Sequence, residues 1–112
     1  MKRLILFNAS ILTDYGTFRF ELLSFDEAKE LVQKYQDANK EIISAIGHQA
    51  TAEIMSEILE YPVAKNRLNF TQKTDEAALI FKLKERAEEG EILSRAEIEE
   101  VGFEFGLLTK TL

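Results

Sequence analysis

Leu4-Ile5-Leu6-Phe7 is an unbroken apolar run with no polar side chain inside it. A strand with one wet face alternates apolar and polar residues. A short continuous run predicts a central strand buried on both faces. Asn8-Ala9-Ser10 follows it. Short polar side chains at the end of a buried strand belong either to a turn or to a site.

The rest of the chain switches between a period of two and a period near 3.6. Thr17–Leu22 alternates, with Phe18, Phe20 and Leu22 on one face, and predicts a half-buried strand after the turn Asp14-Tyr15-Gly16. Ser24-Phe25-Asp26-Glu27 is a capping box. It opens a helix whose apolar residues Phe25, Ala28, Leu31, Val32 and Tyr35 recur at helical spacing. Gln36–Glu41 is polar and predicts a loop. A second helix is predicted from about Gly47 to Glu60, with Ile46, Ala50, Ile54 and Ile58 in one row and Pro62 just past its end. Leu68-Asn69-Phe70-Thr71 and Ala77–Leu83 predict two strands. Ser94-Arg95-Ala96-Glu97 is another capping box, leading a short helix to Val101. Gly102 suits the left-handed position that ends it, and Phe103–Leu108 predicts the last strand. The expected order is β-β-α-α-β-β-α-β. It describes one α/β (α+β) domain over 1–112, with a single mixed sheet of about five strands flanked by helices.

Composition narrows the function classes. The chain has 112 residues, 46% of them hydrophobic, no cysteine and one histidine. Disulfides and thiolate metal sites are excluded, and no metal ligation or cofactor is expected. No apolar run approaches the ~20 residues that span a bilayer, and the apolar stretch at the start is too short for a signal peptide. A soluble, cytoplasmic protein without membrane contact is expected, in the host cytoplasm for a viral one. Fourteen basic against twenty acidic residues give a formal charge of −6. That argues against a broad electrostatic grip on DNA, which takes many Lys and Arg contacts to phosphates. A small anionic ligand in a local basic pocket remains compatible.

The single histidine, His48, follows Gly47 at the predicted start of the second helix. Unpaired N–H groups and partial positive charge at a helix start suit a phosphate. Imidazole trades a proton near neutral pH. Together they suggest phosphodiester chemistry; the plain alternative is a polar residue at a helix start. Arg86 and Glu89 stand three apart in the charged segment Lys84–Gly90. Folded over the helix start, Arg86 can clamp a phosphate and Glu89 can move a proton or orient His48, with Gly90 as the hinge of a lid. The alternative is a solvated charged turn. Arg67, beside Lys65 and Asn66, is either a second phosphate contact or a surface cation. Asn8 and Ser10 can hydrogen-bond a ribose or a base.

In this order and spacing, Asn8-Ala9, Gly47-His48-Gln49-Ala50-Thr51, Lys65-Asn66-Arg67 and Arg86-Ala87-Glu88-Glu89-Gly90 resemble the viral ring nucleases that act as anti-CRISPR proteins against type III systems. The resemblance implies a homodimer that binds cyclic tetra-adenylate across its interface. It implies metal-independent cleavage of the ring to di-adenylate with a 2′,3′-cyclic phosphate. It implies His48 as general acid assisted by Glu89, with Arg86, Arg67, Asn8, Thr51, Gly47 and, more distantly, Ser10 at the ligand. Gln49-Ala50 stand where archaeal viral members often carry Asp-Ser, and Lys82 stands where some members have a ligand-contacting glutamine. Two other readings use the same residues or none of them. One is a non-catalytic protein that sequesters cyclic oligoadenylate. The other is a DNA-binding regulator of a mobile element, against which stand the charge and the lack of a helix-turn-helix pattern.

Overall fold

The computed structural model describes residues 3–84 and 95–112. Along the chain run β1 (Leu4–Phe7), β2 (Phe18–Leu23), α1 (Phe25–Asp37), β3 (Ile42–Ser44), α2 (Gln49–Leu59), β4 (Ala77–Leu83), α3 (Arg95–Val101) and β5 (Phe103–Lys110). The five strands form one mixed sheet in the order β2-β5-β4-β1-β3. β1 lies between β4 and β3 and is parallel to both. It is sandwiched within the sheet as its unbroken apolar run requires, and Leu4, Ile5 and Leu6 are all 0% exposed. β5 pairs antiparallel with β4 on one side and β2 on the other.

The helices pack on one face of the sheet. Leu4, Leu6, Leu79, Phe81 and Phe105 meet Ala28, Val32 and Tyr35 of α1, Met55, Ile58 and Leu59 of α2, and Ile98 of α3. The other face is covered differently. Ile5, Ala78, Ile80 and Leu108 pack with Phe7, Phe18, Leu68 and Phe70, and the rings of Phe7 and Phe70 meet edge to face at 5.1 Å. Leu68 and Phe70 come from the irregular stretch between α2 and β4.

Two elements correct the expected order to β-β-α-β-α-β-α-β. Leu68–Thr71 is not a strand. Its alternation is real, since Leu68 and Phe70 point inward, but it joins no ladder and lies against the sheet as a cover. Ile42–Ser44 is a strand that three residues were too few to announce. Its identity comes from pairing with β1, with Leu4 opposite Ile42 and Leu6 opposite Ser44. The β2 reading also shifts. Phe18 packs inward, but on this edge strand Phe20 is 49% and Leu22 74% exposed.

Local signals set the helix ends. The Ser24 hydroxyl accepts from the Glu27 N–H at 3.1 Å, and the Glu27 carboxylate accepts from the Ser24 N–H at 2.9 Å. The latter bond lowers the Glu27 carboxyl below its ordinary value. α2 ends with Glu60 in the left-handed region, two residues before Pro62. Gly102, at φ +91°, ends α3, its N–H donating to the Ile98 carbonyl at 2.8 Å. The capping residue expected at Ser94 lies outside the described residues.

Two buried polar groups tie the strand ends. The Gln72 amide nitrogen donates to the carbonyls of Glu76 and Leu108, both at 2.8 Å. Arg3 donates to Glu76, which also accepts from the Lys73 N–H at 2.7 Å. Burial alone pushes the Glu76 carboxyl up, but these bonds and the Arg3 charge outweigh it and hold the carboxyl below its ordinary value. A carboxyl lowered in the folded state stabilises the fold above the unfolded pKa of about 4.3, and that stabilisation fades as pH falls through the folded value. Glu76→Gln is therefore expected to cost about 1.5–3 kcal/mol at pH 7, the worth of a hydrogen bond to a charged partner. The gap to the parent should narrow below about pH 4. Urea unfolding of both proteins from pH 7 to pH 3 checks this; an equal gap at both ends is the contrary result.

Among the described residues, no helix is long and apolar enough to cross a membrane.

Candidate functional site

Because β1, β3 and β4 are parallel, their carboxyl ends share one edge of the sheet. Ligands of open sheets bind outside such ends. Here the edge opens into a cavity of about 890 Å³, within the range of small-ligand sites. Asn8 enters it from the end of β1, and His48 and Thr51 from the start of α2. Phe81, Lys82, Leu83 and Lys84 come from the end of β4, and Glu104 from β5.

The start of α2 differs from that of α1. His48 is the N-cap, in extended backbone, and its side chain makes no capping hydrogen bond. The ring is exposed. Asp26 and Glu27 fill the first turn of α1, whereas the first turn of α2 holds no acidic residue. The first bond within α2 runs from the Ala52 N–H to the His48 carbonyl at 3.0 Å, so the N–H groups of residues 49–51 are the ones a helix start leaves over. Among the described residues, the cavity lining carries two lysines, Lys82 and Lys84, and one carboxylate, Glu104. In a chain of net charge −6, the described part of this lining carries a local excess of basic side chains.

Gly47 and Arg67 lie beside the cavity and do not line it. Arg67 Nε donates to the Gly47 carbonyl at 3.3 Å. The preceding residue is fixed too: the Asn66 side chain donates to the Ser44 carbonyl at 2.7 Å, and its N–H to the Ile46 carbonyl at 2.7 Å. Arg67 is thus held next to the residue that precedes His48. Ser10 is exposed and is not among the residues that bound the cavity. Arg86, Glu89 and the Gly90 hinge lie outside the described residues.

The structure brings Asn8, His48 and Thr51 into one cavity and adds residues that sequence reasoning did not single out as a group. In the sequence, Lys84 is simply the start of the charged segment Lys84–Gly90. Glu104 carried no signal beyond its place in an alternating strand, and only the register, which sets it opposite Lys82, reveals it as a neighbour. Phe81 and Leu83 form the apolar wall. Among the described residues, no cluster of three or more histidines and carboxylates could hold a metal ion.

Fold and cavity together define a small mixed-sheet protein with a pocket, lined in part by Lys82 and Lys84, at the carboxyl ends of its parallel strands. The chain belongs to the STIV B116-like family, whose description matches residues 4–105. It is 30% identical over 103 residues to YddF of Bacillus subtilis (strain 168), covering 92% of this chain and 93% of that protein. It is 36% identical over 88 residues to ORF117 of Acidianus two-tailed virus, covering 78% and 73%. In three dimensions it matches B116 of Sulfolobus turreted icosahedral virus with a TM-score of 0.79, over 96% of this chain and 98% of that one, at 23% identity. This likeness carries the fold: a five-stranded mixed sheet flanked by helices.

Proposed function

We propose that this protein is a metal-independent ring nuclease that binds cyclic tetra-adenylate between two copies of the chain and cleaves it, switching off type III CRISPR signalling. The observation that carries the reading is the convergence of His48, Asn8 and Thr51 on one cavity with Lys82 and Lys84. The resemblance drawn from the sequence supplies the substrate.

The chemistry asks little of the protein. A ribose 2′-hydroxyl gives up its proton to solvent as its oxygen attacks the adjacent phosphorus, the bond from phosphorus to the 5′-oxygen breaks, and a 2′,3′-cyclic phosphate remains. The chain must hold the three atoms in line, stabilise the phosphoryl oxygens, and protonate the departing 5′-oxygen. His48, exposed at the helix start, supplies that proton. The amides of α2 and the two lysines answer the phosphate charge. Arg86 and Glu89 assist from the segment that follows Lys84. A ring of four nucleotides is larger than the drug-sized ligands that fill such cavities. A two-fold pair of copies offers two histidines to its opposite linkages, and two cuts leave two di-adenylates.

Incubation with cyclic tetra-adenylate, with and without EDTA, followed by chromatography, tests the reading; cyclic hexa-adenylate runs in parallel. The expected product is di-adenylate with a 2′,3′-cyclic phosphate in both arms. A ring that binds tightly yet stays intact favours sequestration, and a ring that neither binds nor opens overturns the proposal.

A further inference from the structure

Gly106 sits in the middle strand of the antiparallel half of the sheet, a position where glycine weakens pairing and leaves a gap on the sheet surface. Its φ lies outside the left-handed region, so conformational freedom does not explain it. Space does: a Cβ on Gly106 would lie 2.6 Å from Cζ of the Phe20 ring. Phe20 is on β2, opposite Leu108 and diagonal to Gly106. Diagonal neighbours are within reach of an aromatic side chain. The ring leans across β5 through the glycine gap toward Lys82 on β4, a span of two strand spacings, about 10 Å. Lys82 Nζ lies over the Phe20 ring at 5.7 Å from its centroid.

Lys84 is seated similarly. Its N–H donates to the Gly102 carbonyl at 2.9 Å, and its Cδ lies 2.9 Å from where a Gly102 Cβ would stand. Both cations of the cavity therefore rest where β5 or its leading residue lacks a side chain.

We propose that Phe20 is a positioning residue for the anion site: through the gap at Gly106 it holds the Lys82 ammonium at the cavity, where it meets a phosphate of the ligand. The inference rests on the ring-nuclease reading for its ligand. Lysine is a mobile point charge on a flexible stem, and an aromatic face within about 6 Å restrains it. Phe20 is half exposed, and among the described residues its ring face meets Lys82. Nothing in the helix-side core depends on it.

The test is a double-mutant cycle on ring affinity, measured in a His48→Ala background so that cyclic tetra-adenylate persists. Phe20→Leu is expected to weaken binding about two- to fivefold, the worth of an exposed cation–π contact, and Phe20→Tyr to retain parental affinity. Lys82→Gln keeps a hydrogen-bonding head but removes the charge, so it should weaken binding and flatten the logarithmic salt dependence by up to about 0.7. In the Lys82→Gln background, Phe20→Leu should have no further effect. Ring cleavage by the parent, with Phe20→Leu either silent or equally harmful in both backgrounds, overturns the positioning role alone. A parent that neither binds nor opens the ring overturns the ring-nuclease reading and this inference with it. Phe20 lies at the surface, so its substitutions leave the core intact; Gly106→Ala, which pushes the ring aside, should reproduce the Phe20→Leu loss.

Discussion

His48→Ala should slow ring opening by about 10²–10⁴-fold, the usual worth of one positioned acid, while ring affinity stays within a few fold of the parent. The expected asymmetry follows from where the His48 ring sits. The imidazole is exposed and gives no hydrogen bond to its own helix, so its loss takes nothing from the fold, and surface changes of this kind stay within about 0.5 kcal/mol. On the proposed reading, Lys82 and Lys84 of the cavity lining still meet the phosphates of the ring. Single-turnover cleavage and equilibrium binding on the same preparation separate the two effects. Arg86→Ala provides the contrast, with affinity and rate falling together. Equal loss of binding in both variants would mean that the imidazole grips the ring and does not protonate it.

Phe105→Ala should cost about 3–5 kcal/mol, the range for a buried aromatic truncated to alanine. Phe105 is 1% exposed, and its ring lies 5.5 Å from Phe81 and 6.0 Å from Phe103. Phe103 in turn meets Phe25 at the start of α1 at 5.9 Å. Removing the middle ring leaves a void between the sheet and α1 that the rigid strands cannot close. For a chain of this size the loss corresponds to a fall in melting temperature of about 10–20 °C. Because Phe81 also walls the cavity, ring binding should weaken at temperatures where the variant is still folded. Calorimetry and ligand titration on one sample test both consequences. A shift below 3 °C would show that Phe81 and Phe103 collapse into the space.

Which parts of this were readable in advance follows from where the information resides. Ser24–Glu27 and Gly102 act through bonds within a few residues, so their helix boundaries stood in the sequence. Leu4–Phe7 announced a central strand because burial on both faces leaves a local mark. Ile42–Ser44 and Leu68–Thr71 failed in opposite senses. A three-residue strand has no room for a pattern, whereas alternation in Leu68–Phe70 reflects burial against the sheet without backbone pairing. Phe20 illustrates the same limit, since alternation placed it on the right face but not at an edge beyond the covering segment. At the site, His48 drew notice through its chemistry and its place after Gly47. Glu104 and Lys84 depend on the β4–β5 register, a long-range property that no local spacing encodes.

The placement of β5 also governs assembly in time. Among the described residues, β2 pairs in the sheet with β5 alone, and Phe18 faces Lys110 across that seam. A ribosome that has delivered β1 through β4 has therefore released an early strand with nothing to dock on. Pairing between such distant segments is slow, so Phe18, Phe20 and Leu22 stay bare on the nascent chain until β5 emerges. In that interval the unpaired apolar ribbon is most prone to aggregate.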